Sequence, residues 1–220
     1  MAGLSLFTPP ASEPLTVAEA KLFARIDVTD DDALVTDLIA GARRLCEERR
    51  SWAYITQTWD FFLDAFPTTV GSNAFPVASD WPDVPNAFPG SWPYLPLYLP
   101  IFLPRAPVQS VVSVSYTKSD GTPIIVSASD YFVDVANTRK ARIAPQIGKT
   151  WPTDFLRPLN GVAIRFVAGY GTAATSIPEH MRLAMKQLVA FWYQNRDAIG
   201  TIPDEINDLL SQTIGGFAYA

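Results

Sequence analysis

The chain has 220 residues, of which 48% are hydrophobic and 18% charged, and its formal net charge is −5. This composition supports a buried core and argues against intrinsic disorder, and the acidic balance disfavours tight binding to nucleic-acid phosphates. A single cysteine excludes an intrachain disulfide, and a single histidine excludes a metal site built from several histidines.

Two helices are predicted in the N-terminal part of the chain. Thr16 and Glu19 have the spacing of a capping box, which predicts a short helix that ends at about Arg25. Three consecutive aspartates, residues 30–32, place negative charge at the start of a second helix. Apolar residues recur at helical spacing over residues 34–46, so this second helix is expected to be long and amphipathic.

The middle of the chain is predicted to form short β-strands. Alternating apolar and polar residues, or runs rich in threonine and aromatic residues, occur in several segments. Asp120-Gly121 is a strong hairpin signal, so strands that are neighbours in sequence are expected to pair antiparallel. The predicted strands cover residues 56–66, 108–117, 124–127, 131–135, 141–144 and 162–168.

A further helix follows the strands. Ser176 and Glu179 again have capping-box spacing, and an apolar stripe runs from Ile177 to Trp192. Helices at both ends with strands between them predict an α+β fold, a small helical bundle carrying an inserted antiparallel β subdomain. We predict one domain over residues 1–200 and a separate C-terminal tail over residues 201–220. Within the domain, helices cover about 16–50 and 177–196, and the β subdomain about 55–170.

A proline- and aromatic-rich segment, residues 67–107, interrupts the β subdomain. It contains ten prolines, and its only charged residues are Asp80, Asp83 and Arg105. Prolines at this density prevent regular helix and central strand. A long, nearly uncharged loop of this kind either packs against its own fold or is buried against a partner, and the sequence leaves both alternatives open.

No membrane or secretion signal is predicted. The first ten residues contain no Lys or Arg and only a short apolar run, which does not fit a signal peptide. The most apolar later stretch, residues 95–103, is interrupted by two prolines and is shorter than the roughly 20 apolar residues of a spanning helix. The chain is therefore expected to be soluble and made in a cytoplasm.

No catalytic, cofactor or metal site is predicted. His180 is expected to be a partly exposed surface residue and Cys46 a buried structural thiol. Residues 169–174 match the loose form of a dinucleotide fingerprint, but the following helix begins too late to hold a pyrophosphate. The aspartates at 30–32 lack the alternation and central glycine of a calcium-binding loop.

A basic cluster lies near the end of the second predicted helix. It is either a solvated helix end or a patch that contacts an acidic neighbouring subunit, and both interpretations stay open. Its members are Arg43, Arg44, Arg49 and Arg50.

An ordered set of motifs resembles a known family, the head–tail connector (adaptor, or head-completion) proteins of tailed phages. The opening of that family, "EP(V/L)T-x-AEAK", matches residues 13–21, and an "R(V/I)D" and an acidic helix start follow at 25–27 and 31–34. No single motif identifies the family, but the order of the set is specific. Further matches lie at residues 55–59, 103–108, 116–121, 142–145, 151–152, 162–171 and 192–196.

The resemblance implies a structural protein of the virion neck and not an enzyme. Such connectors form a homo-oligomeric ring, commonly of twelve subunits, beneath the portal protein, where they extend the DNA channel without binding DNA specifically. They offer a platform for the next neck or tail protein, a stopper or a tail terminator, and need no cofactor, metal or membrane. Their C-terminal tail often docks onto the portal.

Several residues are candidates for partner binding. The four arginines of the basic cluster are included, and aromatic and apolar residues complete the set. The further candidates for partner binding are Trp81, Trp92, Tyr94, Leu209, Leu210, Ile214, Phe217 and Tyr219.

An alternative hypothesis is a carbohydrate- or small-ligand-binding module in which exposed aromatic rings stack on the ligand.

Overall fold

The computed structural model describes residues 2–67 and 100–212, and its elements confirm a mixed α+β fold. The chain divides into two compact units. A β unit comprises residues 1–8 and 58–167, and a helical unit comprises residues 9–57 and 168–220. This division follows the predicted helical and β parts of the chain. The predicted extents of one domain and of a separate tail stay predictions.

Among its described residues, the helical unit contains four helices: α1 (Val17–Ala24), α2 (Asp32–Arg50), α3 (Glu179–Gln194) and α4 (Asp204–Gln212). Helix α3 packs against each of the other three, and α1 also packs against α2. Each large apolar side chain buried between them stabilises the unit by about 1.5–3 kcal/mol. The most buried positions of α2 and α3 are Val35, Ile39, Ala42, Cys46, Met181, Ala184, Met185, Leu188, Val189 and Trp192.

Helix α1 begins with the predicted capping box. Thr16 Oγ1 accepts a hydrogen bond from the Glu19 backbone N–H at 3.2 Å, and Glu19 Oε2 accepts one from the Thr16 backbone N–H at 3.0 Å. The residues after α1 and α2, Arg25 and Ser51, adopt left-handed backbone conformations with φ of 56° and 53°. Both helices therefore end in a sharp change of chain direction.

The capping box predicted at the start of α3 is wrong. No side chain caps this N-terminus, because Ser176 lies in a 3-10 turn over Ala174–Ser176 and the helix follows Pro178. The Ser176 hydroxyl instead lies beside Gly171, where a Cβ atom would come within 2.5 Å of it. Pro178 has no N–H that needs a partner, and its restricted φ suits a helix start.

In the part of the chain that the structure describes, the β unit contains eight strands in two sheets. The larger sheet has the order β1-β2-β8-β4-β5, and the smaller sheet has the order β3-β7-β6. In the larger sheet, buried residues alternate with partly exposed ones, most regularly along β8. The strands are β1 (Ala2–Thr8), β2 (Gln57–Leu63), β3 (Ile101–Phe102), β4 (Val108–Thr117), β5 (Pro123–Val126), β6 (Tyr131–Asp134), β7 (Arg142–Pro145) and β8 (Val162–Ala168).

Strand β1 was not predicted from the sequence. It pairs antiparallel with β2, with Leu4 opposite Phe61, and a bulge interrupts the register at Phe7. The Arg165 guanidinium lies over the Phe7 ring, 3.5 Å from the centroid of the ring. Arg165 also makes a bidentate ion pair with Asp60 at 2.7 and 2.8 Å. These contacts attach the N-terminal strand to the sheet at one edge.

The smaller sheet has two different faces. Ile101 and Ile143 point to the buried side. The register places five residues on the opposite side, because Phe102 pairs with Arg142, Asp134 pairs with Arg142, and Phe132 pairs with Ala144. This opposite side is called the small-sheet face, and its residues are Phe102, Phe132, Asp134, Arg142 and Ala144.

Candidate assembly surfaces

The described residues contain no constellation typical of catalysis. Among residues 2–67 and 100–212, no group of three His, Cys, Asp or Glu side chains is placed to hold a metal ion. His180 is half-exposed in the first turn of α3, as predicted. Cys46 is fully buried, and this burial raises the pKa of its thiol to about 12, which keeps it protonated and unreactive.

No helix of residues 2–67 and 100–212 has the length and apolar character needed to cross a bilayer.

The glycines at 169 and 171 serve backbone packing. Gly169 has a φ of 134°, and a Cβ atom there would come within 2.6 Å of the Ile55 carbonyl oxygen. Thr56 donates its backbone N–H to the Gly171 carbonyl at 3.0 Å. The close approach of the Ile55 backbone explains Gly169, and the Ser176 side chain beside Gly171 explains the second glycine, without a nucleotide.

A buried polar cluster lies at the centre of the helical unit. Arg43 donates through Nη1 to Glu47 Oε2 at 2.9 Å, and through Nε and Nη2 to the two oxygens of Glu13 at 2.8 and 3.1 Å. The second Glu47 oxygen accepts from the backbone N–H of Tyr54 at 2.9 Å and from the Gln57 amide at 2.6 Å. The cluster therefore connects the segment before α1, helix α2 and the chain that leads into β2.

Burial and pairing compete at this cluster. Burial raises the pKa of Glu47 above its usual value, although the Tyr54 amide and Arg43 favour the charged form. Burial also opposes the charge of Arg43, but Glu13 and Glu47 outweigh this cost, and the pKa of Arg43 is raised. The arrangement is that of an internal structural network, in which each charged group depends on its partners.

The predicted basic cluster divides into internal and surface residues. Arg43 is only 6% exposed and is used inside the helical unit, so it is removed from the predicted partner surface. Arg50 is half-buried and donates to the backbone carbonyl of Asn207 in α4 at 2.9 Å. Arg44 and Arg49 are exposed on α2 and keep the predicted role as a proposal.

The predicted tail begins with a helix that belongs to the helical unit. Ile206 and Leu210 of α4 are 5% and 2% exposed, and α4 packs against α3. Leu210 is therefore also removed from the predicted partner surface, because its side chain is covered by its own unit. Leu209 is half-exposed. The remaining predicted residues, Trp81, Trp92, Tyr94, Ile214, Phe217 and Tyr219, lie outside the described residues.

An exposed apolar surface that the sequence did not indicate lies in the loop between β7 and β8. In this loop, called the Phe155 loop (residues 146–161), Ile147, Phe155 and Leu159 are 81%, 89% and 71% exposed. These three large apolar side chains lie within 13 residues of sequence, and exposed side chains of this size are candidates for contact with a partner. No pattern at the sequence level distinguishes it from an ordinary loop.

Hydrogen bonds on both sides of Phe155 fix its position. The Phe155 carbonyl accepts a hydrogen bond from the Ser119 backbone N–H at 2.8 Å. Two residues later, the backbone N–H of Arg157 donates to the Thr117 carbonyl at 3.1 Å. The preceding residue, Asp154, accepts from the Tyr116 hydroxyl at 2.8 Å and pairs with Lys118 at 3.0 Å. A partner would therefore meet Phe155 on a backbone that is already held in place, which lowers the entropic cost of ordering the loop on binding.

Comparisons with known proteins place the fold among neck components of phage-like particles. No protein-family model and no curated protein matches the sequence. The solved structures that match include a neck of an empty gene transfer agent particle computed with C6 symmetry, at 22% identity and a TM-score of 0.68, covering 96% of this chain and 94% of that one.

Two further structures agree with this match. A chain of the virion of a native gene transfer agent particle matches at 21% identity and a TM-score of 0.70, over 95% of this chain and 93% of that one. A neck of a native particle computed with C12 symmetry matches at 22% identity and a TM-score of 0.65, over 96% and 93%. The chain thus has, along nearly its whole length, the fold of a protein of the gene transfer agent neck.

Proposed function

We propose that this chain is a head–tail connector (adaptor) subunit of a tailed phage or phage-like particle. It forms a homo-oligomeric ring in the virion neck, beneath the portal protein, extends the DNA channel and carries the next neck or tail protein. Its role is structural and not enzymatic, and it is synthesised in the bacterial host cytoplasm.

The near-complete fold match to neck components supports this proposal most. It covers 95–96% of the chain, so both the β unit and the helical unit are included. The ordered motifs between residues 13 and 196 support the same family independently of the fold. Agreement of sequence motifs and fold along the whole chain favours one shared role over a coincidental likeness of one domain.

A closed ring requires two different surfaces on each subunit, because its interfaces are head-to-tail. The matched necks were computed with C6 and C12 symmetry, which is consistent with a ring, and a dodecamer is the proposed size. The Phe155 loop supplies exposed apolar side chains on a hydrogen-bonded backbone of the β unit. The exposed Arg44 and Arg49 supply a basic surface on the helical unit, suited to an acidic neighbour.

The end of the chain is the proposed attachment to the portal. Residues 213–220 include the apolar Ile214, Phe217 and Tyr219 after α4, and half-exposed Leu209 lies on α4 itself. A short apolar segment of this kind can bind in an apolar groove of a partner. The next neck protein, a stopper or tail terminator, binds the opposite side of the ring in this proposal.

The charge of the chain fits a channel through which DNA passes without specific binding. A net charge of −5 over 220 residues offers no excess of cations to neutralise phosphates. The alternative hypothesis, a carbohydrate- or small-ligand-binding module, depends on Trp81, Trp92 and Tyr94, which lie outside the described residues. Titration with glycans, followed by tryptophan fluorescence, distinguishes the two hypotheses. The fluorescence should change if the chain is a binding module and should stay constant if it is a connector.

The proposal is tested by deleting the gene in the particle that encodes it. The expected result is an accumulation of DNA-filled heads without tails, since a missing connector stops assembly after packaging. Purified chain added to these heads should restore tail attachment. Normal tailed particles from the deletion strain would overturn the proposal, and heads without DNA would move the chain to an earlier step and overturn it as well.

A further inference from the structure

The small-sheet face carries a groove that has the size of one large side chain. Its volume is about 240 Å³, and it is lined by Pro100, Phe132, Asp134, Arg142 and Ala144. This volume is below the roughly 300–1,000 Å³ of small-molecule sites. A cavity of about 150 Å³ already accommodates benzene, so the groove has room for one aromatic ring of a protein.

The charges in the groove neutralise each other. Arg142 donates through Nε to Asp134 at 2.8 Å, and the backbone N–H of Ala136 donates to the other Asp134 oxygen at 3.0 Å. The Phe132 side chain beside this ion pair is 49% exposed. An uncharged aromatic occupant fits such a groove, because it covers the Phe132 ring and stacks on the Arg142 guanidinium without breaking the ion pair.

Phe155 has the chemistry of this occupant. Among residues 2–67 and 100–212 it is the most exposed large apolar side chain, at 89%. The charged groups around it are engaged within the β unit. Asp154 lies 3.0 Å from Lys118, and the Arg157 guanidinium donates to two backbone carbonyls of the same loop, at 2.8 Å each. The surroundings of Phe155 therefore do not require a charged partner.

The Phe155 ring does not fill the groove of its own chain, since almost all of its surface is exposed. Backbone hydrogen bonds to Thr117 and Ser119 hold this part of the loop at the end of β4 and the turn that follows. Each chain thus carries one exposed aromatic ring and one groove, built from different residues. Two copies that join through such different surfaces make a head-to-tail contact, which is the contact that closes a ring.

We propose that Phe155 of one copy inserts into the groove on the small-sheet face of the next copy in the ring. This inference rests on the proposed function, because it names the partner surface of the Phe155 loop within the connector ring. The inserted ring forms an aromatic pair with Phe132 and contacts the guanidinium of Arg142. Aromatic side chains that fill a pocket at the centre of a contact carry much of its binding energy, so Phe155 and Phe132 are the expected anchors.

Assembly of the full chain on purified portal rings, counted by electron microscopy, tests this contact. Phe155→Ala and Phe132→Ala should each raise severalfold the protein concentration at which half of the portals carry a ring. The double substitution should raise it no further than the stronger single substitution, because both remove one shared contact. Effects that multiply in the double variant would overturn the proposal. Ile125→Ala, at a side chain that is 75% exposed on the larger sheet, is the control and should change nothing.

Photo-crosslinking identifies both sides of the contact. The photoreactive residue p-benzoylphenylalanine replaces Phe155, and this unlabelled variant is assembled on portals with an excess of ¹⁵N-labelled wild type. After irradiation, mass spectrometry should find position 155 joined to the small-sheet face of a labelled chain. In rings that form, cross-links within one chain or to another part of the neighbour would overturn the contact and leave the proposed function standing. A wild type that forms no ring on the portal would overturn the proposed function and this contact with it.

Discussion

Arg43 and Glu47 form an ion pair at 2.9 Å across one turn of α2, with both side chains more than nine-tenths buried. Glu47 also accepts from the Tyr54 backbone and the Gln57 side chain, so one carboxylate satisfies three donors. Such a pair contributes less by its own attraction than by preventing the cost of an isolated buried charge. The stability of the helical unit therefore depends on the presence of every member of this cluster.

Glu47→Ala is expected to destabilise the protein by about 3–5 kcal/mol, because it leaves the buried Arg43 charge partly uncompensated and two N–H donors without an acceptor. Chemical denaturation followed by circular dichroism measures the loss. The matched control is Glu48→Ala, since Glu48 is the exposed neighbour on the same helix and its removal should change stability by less than about 0.5 kcal/mol. Equal effects of the two substitutions would contradict this account of the cluster.

Glu19 gives the protein a predictable loss of stability in acid. The pKa of Glu19 lies below its ordinary value of 4.5, first because of its bond from the Thr16 backbone. Burial opposes this effect, and the hydrogen bond and charge of Arg182 lower the pKa further. A carboxyl whose folded pKa is lowered adds stability above its unfolded pKa, and this contribution disappears as the pH falls through the folded value. The wild type should thus lose stability below about pH 4.5.

Glu19→Gln should show a weaker dependence of stability on pH in that range and a lower stability at pH 7. Denaturation midpoints measured from pH 7 to pH 3 check this expectation, and Glu48→Gln serves as the control on an exposed acid. If Glu19→Gln followed the same pH curve as the wild type, the capping box and its contact with Arg182 would not be the source of the acid sensitivity.

Two truncations separate the fold from the proposed portal attachment. Removal of residues 213–220 should leave the unfolding midpoint unchanged and abolish binding to the portal. Removal of residues 201–220 should also destabilise the helical unit, because it deletes Ile206 and Leu210, whose individual replacement by alanine typically costs about 2–5 kcal/mol. Thermal unfolding and co-sedimentation with portal rings measure the two effects. If the protein that lacks residues 213–220 still bound the portal, these residues would not be the attachment to the portal.

Phe155→Ala tests the apolar surface of the Phe155 loop. The side chain is 89% exposed, so the substitution should leave the melting temperature within about 2 °C of the wild type. If the loop lies at the interface between copies, ring assembly on the portal, counted by electron microscopy, should fall severalfold. Thr153→Ala, on an exposed residue of the same loop, is the control. Unchanged ring assembly would exclude Phe155 as an interface anchor.

Local sequence patterns predicted most of the elements, because each depends on residues close in the chain. The capping box of α1 needs only Thr16 and Glu19, and β4 over Val108–Thr117 and β8 over Val162–Ala168 match the predicted ranges. The α3 capping box failed for a tertiary reason, since Ser176 is held in a turn beside Gly171 and does not reach the helix. Local helix propensity does not predict the contact between Ser176 and Gly171.

The parts that the sequence did not predict depend on distant partners. Strand β1 exists because it pairs with β2, more than 50 residues later. Arg43 was predicted to belong to a surface cluster. The structure instead pairs it, inside the helical unit, with Glu13, which lies 30 residues earlier in the sequence. The exposure of Phe155 follows from its backbone bonds to the end of β4, which no periodicity in the loop encodes.

We propose that this chain forms a ring in a virion neck. A cryo-EM reconstruction of the neck, in particles that carry this gene product, tests the proposal. We expect a ring of these chains beneath the portal, with the C-terminal residues at the portal and the Phe155 loop at a contact between neighbouring copies. A well-resolved neck without density for this chain would overturn the proposal.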